Sequence, residues 1–231
     1  MTLKLGIPSK GRLMEKTFDW FRARGVEIEP TGGGREYVAR AALDGLEPVL
    51  LSAGEIPREL AAGNIQLGVT GMDMVRERLG DWQARVREVE RLGFGHADLV
   101  IAVPDFWADV STLHDLDAAA AAFREVHGQR LRIATKYHRL VREFLRASGV
   151  ADYRLVDSQG ATEGTVRNLT AEAIADITSS GETLRANHLR PLSDGVMLKS
   201  QAALFRTRRS GWTDAQRRVY AALEARIGTG D

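Results

Sequence analysis

The chain has 231 residues, 44% hydrophobic and 27% charged, with 32 Lys and Arg against 31 Asp and Glu. That length suits one large or two small soluble domains with buried cores, and a net charge of +1 argues against nucleic-acid binding through bulk charge. With no cysteine, disulfides, thiolate metal sites and cysteine nucleophiles are excluded. The five histidines (His96, His114, His127, His138, His188) have no metal-ligand spacing. The opening residues lack the apolar stretch of a signal peptide, and no run approaches the ~18 apolar residues of a membrane span. A cytoplasmic location is expected.

Residues 3–7 read as a strand. Residues 11–25 read as a helix, with Met14, Phe18 and Phe21 on one face and Gly25 as its stop. Strands are expected at 37–42, 48–52 and 67–70, a short helix at 55–62 closed by Gly63, and another helix at 73–79. Residues 86–91 and 98–103 read as strands. The pattern then starts again, with an alanine-rich helix at 115–126, a strand at 131–135 and a helix at 140–148. A strand at 154–156, a helical turn or two at 162–168 and a strand at 173–178 follow. A helix begins at 183, and 196–205 reads as a long strand or a pair. The 213–227 helix has capping-box spacing at Thr213 and Gln216.

Strand–helix alternation of this kind predicts an α/β fold with mostly parallel sheets and flanking helices. Two such blocks, split near 93–98, predict two lobes: residues 1–95 with 190–231, and residues 96–189. In open α/β sheets ligands sit at the carboxyl ends of strands, which selects the loops that matter.

The most informative stretch runs from 171 to 184. Its first half is a small-apolar strand carrying Glu172 and Asp176, whose spacing puts both on one face. Its second half is a hydroxyl-rich loop with one glycine, Thr178-Ser179-Ser180-Gly181, leading into a helix. Such a turn offers hydroxyls and backbone N–H groups to an anion, and Gly181 permits positive φ. Carboxylates beside a phosphate cradle outline a ribose 5-phosphate site. The same residues also fit a buried strand ending in a helix capped by Thr178 or Ser180.

The stretch resembles the phosphoribosyl-pyrophosphate loop of the ATP phosphoribosyltransferase family. That pattern is an acidic–apolar–acidic strand, then Thr/Ser-Gly-x-Thr-Leu, then a short helix with asparagine. Ser180-Gly181-Glu182-Thr183-Leu184 and Asn187 fit it. Three further segments match in family order: Ser9-Lys10-Gly11-Arg12, Gly68-Val69-Thr70-Gly71-Met72-Asp73, and Arg132-Ile133-Ala134-Thr135-Lys136-Tyr137, where His138 replaces the usual proline. Read without the family, these are a basic turn, a tight turn capped by Asp73, and a strand end.

The resemblance covers nearly the whole chain to about residue 204 and implies a two-lobed fold like that of type II periplasmic binding proteins. It implies transfer of the 5-phosphoribosyl group from phosphoribosyl pyrophosphate to N1 of ATP, the first step of histidine biosynthesis, with Mg2+. Glu172 and Asp176 would bind the ribose hydroxyls, and Thr178, Ser179, Ser180, Gly181, Glu182 and Thr183 would surround the phosphate. Ser9, Lys10, Gly11, Arg12, Gly71, Asp73 and Lys136 would line the ATP site. The catalytic side chain is not identified; Lys10 and Arg35 are the candidates. Many short-form members carry an arginine where this chain has Ser52, and Arg35, Arg40 or Arg58 could stand in. The chain has no length for a C-terminal regulatory domain, so a separate histidyl-tRNA-synthetase-like regulatory subunit and a hetero-octamer are implied. The alternative is a two-lobed small-molecule binding or effector-sensing protein without turnover.

Overall fold

In the computed structural model, which describes residues 2–30, 39–158 and 160–228, the apolar runs become strands buried on both faces. In chain order the elements are β1 (Leu3–Pro8), α1 (Gly11–Arg22), β2 (Ile28–Pro30), β3 (Ala39–Ala41), β4 (Leu46–Leu51), α2 (Ile56–Ala62), β5 (Leu67–Gly71), α3 (Met72–Arg78), α4 (Trp82–Arg85) and β6 (Val86–Arg91). There follow β7 (Ala97–Pro104), α5 (Leu113–His127), β8 (Leu131–Thr135), α6 (His138–Ala147), β9 (Tyr153–Asp157), α7 (Gly164–Arg167), β10 (Ala173–Thr178), α8 (Glu182–Ala186) and β11 (Leu189–Ser200). The last are β12 (Ala202–Thr207) and α9 (Asp214–Ile227). No helix among the described residues is long and apolar enough to cross a membrane.

The chain divides into two compact units, Met1–Gly95 with Gln201–Asp231, and His96–Ser200. The first holds a five-stranded sheet in the order β4-β1-β5-β12-β6. Strand β1 lies parallel to β4 and β5, while β12 runs antiparallel to β5 and β6. Leu3, Leu5, Ile7, Leu67 and Val69 pack with Phe18, Phe21 and Leu223 in one core. On the other face, Gly6 and Gly68 stand side by side in register. A β-carbon at Gly68 would come within 2.6 Å of Ile56 Cγ2, and one at Gly6 within 2.6 Å of Ile65 Cδ1. The paired glycines therefore let Ile56 of α2 and the nearby Ile65 lie directly on the sheet.

The second unit holds a sheet in the order β11-β7-β10-β8-β9. Strand β8 runs parallel to β10 and β9, and β7 antiparallel to β10 and β11. Helix α5 is fixed by a complete capping box between Thr112 and Asp115. Both sheets are thus mixed rather than mostly parallel: each keeps its parallel pairs beside antiparallel strands at one side. The apolar run at 196–205 is two strands broken at Gln201 and belonging to different units. Because β11 pairs with β7 as far as Ser200, the return to the first unit comes at Gln201, not at 190. Residues 37 and 38 of the strand expected at 37–42 lie outside the described residues.

Gly68→Ala is expected to lower stability by about 1–3 kcal/mol through overpacking against Ile56. A urea-unfolding midpoint unchanged from the wild type would contradict the close approach of α2.

Candidate functional site

In the second unit, parallel pairing brings the carboxyl ends of β8, β10 and β9 to one edge, with Thr135, Thr178 and Asp157 as their last residues. The 178–181 loop folds back on itself there. Thr178 Oγ1 accepts from the Gly181 amide at 3.0 Å, and Ser180 Oγ accepts from the Glu182 amide at 3.4 Å. Each hydroxyl has one proton and two lone pairs, so both keep a proton to donate to an anion. Ser179 differs, since its Oγ donates to the His96 carbonyl at 2.8 Å. Gly181 has φ +72°, the left-handed region that glycine enters without strain.

Arg185, one turn into α8, closes the loop from outside. Its Nη2 donates to the Ser180 carbonyl at 3.1 Å. The loop and Arg185 line an open cavity of about 730 Å³ that also takes in Asp98 and Arg190. Glu182 and Thr183 are exposed in the first turn of α8. The Glu182 carboxylate would repel a phosphate, and its amide is turned to Ser180 Oγ.

Asp176 is buried one residue pair back along β10. Its Oδ1 accepts from the Ile177 amide at 2.8 Å, and its Oδ2 lies 3.9 Å from Lys136 Nζ. Lys136 is half-exposed at the end of β8, beyond a turn in which Thr135 Oγ1 accepts from the Tyr137 amide at 2.9 Å. Lys136, expected with the ATP residues, thus stands beside Asp176 in the second unit.

Glu172 sits elsewhere. It precedes β10 at the opposite edge, four residues from Asp176, or ~13 Å along a strand. Its carboxylate accepts from Arg132 Nε at 3.1 Å and from the Arg132 amide at 2.7 Å, and pairs with Arg132 Nη2. Burial pushes the Glu172 pKa up, but the hydrogen bonds and charge of Arg132 outweigh it and hold the carboxyl below its ordinary value. The structure therefore does not bring Glu172 and Asp176 together: strand periodicity puts both on one face, but at different ends of it.

In the first unit, the carboxyl ends of β4, β1 and β5 share an edge. The Ser9 amide donates to the Leu51 carbonyl at 2.8 Å, and Thr70 Oγ1 donates to the Ala53 carbonyl at 2.9 Å. These bonds knit the turn after β1, the 52–55 turn and the end of β5 together. Lys10, Gly11 and Arg12 are exposed at the start of α1, Gly71 is half-buried, and Asp73 is buried in the first turn of α3. Arg35 lies outside the described residues. Arg40 stands on β3 opposite Glu29, and Arg58 is exposed on α2. Arg185 and Arg78, whose guanidinium lies by Gly54, were not singled out from sequence, and Thr70 entered only as part of the Gly68–Asp73 motif. Only the spacing of Arg185 from the glycine loop could have signalled one of them.

A family model described as HisG: ATP phosphoribosyltransferase matches residues 52–227. The chain belongs to the ATP phosphoribosyltransferase family. It is 71% identical over 229 residues to an ATP phosphoribosyltransferase of Cereibacter sphaeroides, covering 99% of this chain and 97% of that one. It is 49% identical to one of Mesorhizobium japonicum, covering 98% and 100%. Among solved structures it is similar to the ATP phosphoribosyl transferase (HisG:HisZ) complex from Thermotoga maritima, with TM-score 0.74, 20% identity and coverage of 98% and 96%. It is also similar to the alkanesulfonate-binding protein SsuA from Xanthomonas axonopodis pv. citri, with TM-score 0.53, 16% identity and coverage of 97% and 72%. Those two likenesses show the fold, which transferases and binding proteins share. Membership makes the chain a glycosyltransferase-class enzyme of the first step of histidine biosynthesis.

Because Glu172 is structurally engaged, Glu172→Ala is expected to lower stability by about 1.5–3 kcal/mol, the range for hydrogen bonds to charged groups. Its pKa is depressed on folding, so this contribution is complete above the unfolded value of about 4.3 and is lost as pH falls through the folded one. The wild-type-minus-variant difference in urea-unfolding free energy should shrink on acidification. A difference that is absent at pH 7, or that grows towards acid, contradicts this role.

Proposed function

We propose that the chain joins ATP to phosphoribosyl pyrophosphate. Adenine N1 forms a bond to C1 of the ribose as the bond from C1 to pyrophosphate breaks, giving N1-(5-phosphoribosyl)-ATP and pyrophosphate. The observation that carries the assignment of the sugar phosphate is the 178–181 loop, where two hydroxyls are held by the loop's own amides with their protons still to give. The 5-phosphate takes hydrogen bonds from Thr178 and Ser180 and lies against the Gly181 backbone. Asp176, whose carboxylate is only partly engaged by Ile177 and Lys136, accepts from a ribose hydroxyl. Ser9, Lys10, Gly11, Arg12 and Gly71 line the nucleotide site on the first unit, and Asp73 shapes its turn.

The transition state is cation-like at C1, as in other glycosyl transfers. The enzyme's task is to orient two anionic substrates and neutralise the departing pyrophosphate. Among the described residues no three His, Asp or Glu side chains converge to hold a metal ion. A Mg2+ ion, which the family resemblance implies, would be held by phosphate oxygens, a chemistry it favours, and would supply charge neutralisation there. The Thermotoga maritima structure is described as a HisG:HisZ complex, which supports a separate partner subunit for this chain; the family resemblance makes that partner a regulatory subunit similar to histidyl-tRNA synthetase and the assembly a cytoplasmic hetero-octamer.

Mixing the chain, with its regulatory partner, with ATP, phosphoribosyl pyrophosphate and magnesium is expected to yield phosphoribosyl-ATP, read by its absorbance or by mass. Binding of both substrates without product would favour a sensor and sink the transferase reading. Asp176→Ala should raise the KM for phosphoribosyl pyrophosphate about tenfold to hundredfold, the equivalent of one charged hydrogen bond, with the KM for ATP little changed. Glu172→Ala should leave both KM values near wild type. The reverse ranking of the two variants would remove Asp176 from the ribose site.

A further inference from the structure

The 52–55 turn follows β4 and lies beside the turn after β1, because Leu51 is in register with Pro8 and its carbonyl accepts from Ser9. It therefore borders the basic run of Lys10 and Arg12. The turn has one carboxylate of its own, Glu55, which is exposed and engaged by the start of the turn. Hydrogen bonds from the Ser52 hydroxyl and amide hold it below the ordinary carboxylate range, the amide at 2.9 Å from Glu55 Oε2.

A cation from another element covers this turn. Arg78 is the last residue of α3, whose first residue follows directly on β5. Side chains on a helix tilt towards its N-terminus, so the Arg78 side chain runs back along α3 towards Met74 and the strand edge. A β-carbon at Gly54 would lie 3.6 Å from Arg78 Nη2, 3.7 Å from Arg78 Nε and 3.8 Å from Met74 Sδ. The Nε–Nη2 edge of the guanidinium therefore faces the glycine, with no side chain of the turn in between. Arg78 is exposed and forms no ion pair among the described residues. Thr70, buried at the end of β5, ties the strand that leads into α3 to this turn through the Ala53 carbonyl, which fixes the base of the arrangement.

We infer that Arg78 binds a polyphosphate at the 52–55 turn, its planar donors gripping phosphate oxygens next to Lys10 and Arg12. This rests on the phosphoribosyl-transfer reading for its ligand, because that reaction brings two polyphosphates to the enzyme: the ATP triphosphate and the pyrophosphate leaving group. The two share their chemistry, and the turn accommodates either.

The test compares wild type with Arg78→Ala and Arg78→Lys as full chains with the regulatory partner. Calorimetry with magnesium pyrophosphate and with magnesium ATP measures binding without turnover, and steady-state kinetics give both KM values and product inhibition by pyrophosphate. Arg78→Ala should weaken at least one of the two ligands about tenfold or more, as expected for loss of a charge-assisted pair, with Arg78→Lys partly restoring it. Because Arg78 is exposed, the unfolding midpoint should not move. An effect confined to pyrophosphate assigns the turn to the leaving group, and one confined to ATP assigns it to the triphosphate. Unchanged affinity for both in a folded Arg78→Ala chain overturns the inference, even where wild type forms product. A wild type that binds pyrophosphate through Arg78 yet forms no product instead defeats the transferase reading and leaves Arg78 as an anion site.

Discussion

Parallel pairing at the centre of each sheet is the constraint on which the binding edges depend. In the first unit β1 is held between β4 and β5, and in the second β8 is held between β10 and β9. Parallel neighbours end at the same edge, so the loops after them are gathered without any further device. The paired glycines Gly6 and Gly68 serve this arrangement, because they let Ile56 and Ile65 settle on β1 and β5 without a side chain between. The antiparallel strands beside them leave these edges unchanged. They fill out each sheet, and β12 carries the chain back beside β5.

The chemistry at the edges follows from which polar groups are already engaged. Net charge is close to zero, so anionic substrates must be held by local groups rather than by the field of the whole molecule. Glu172 and Asp176 are both acids flanking or within one strand, yet Arg132 engages the first from side chain and backbone, while among the described residues Asp176 meets one amide and a lysine at 3.9 Å. The same distinction separates the serines. Ser179 spends its proton on His96, whereas Thr178 and Ser180 accept and retain theirs.

Much of this was legible in the sequence. The α/β class follows from the alternation of short apolar runs with amphipathic segments, and the hydroxyl–glycine loop after 173–178 is recognisable from residue types alone. The separation of Glu172 from Asp176 was not, because a period of two reports a face and says nothing about which end of it a residue occupies. The break at Gln201 was legible only in part: Lys199, Ser200 and Gln201 interrupt the apolar residues of 196–205 and fit a pair of strands, but polarity does not record a change of sheet. The mixed pairing was equally invisible, since strand direction depends on where the connecting segment returns. The placement of Arg78 over the 52–55 turn depends on a long side chain reaching back one helical turn, which no local pattern encodes, whereas Arg185 stands at a readable spacing from the glycine loop.

The central claim is that the 178–181 loop cradles a sugar phosphate beside Asp176. The most direct measurement is a crystal structure of the chain soaked with phosphoribosyl pyrophosphate. The account predicts the 5-phosphate within hydrogen-bonding distance of Thr178 Oγ1 and Ser180 Oγ, with a ribose hydroxyl on Asp176 and none on Glu172. A phosphate bound at the opposite edge, against the Arg132–Glu172 pair, would contradict it.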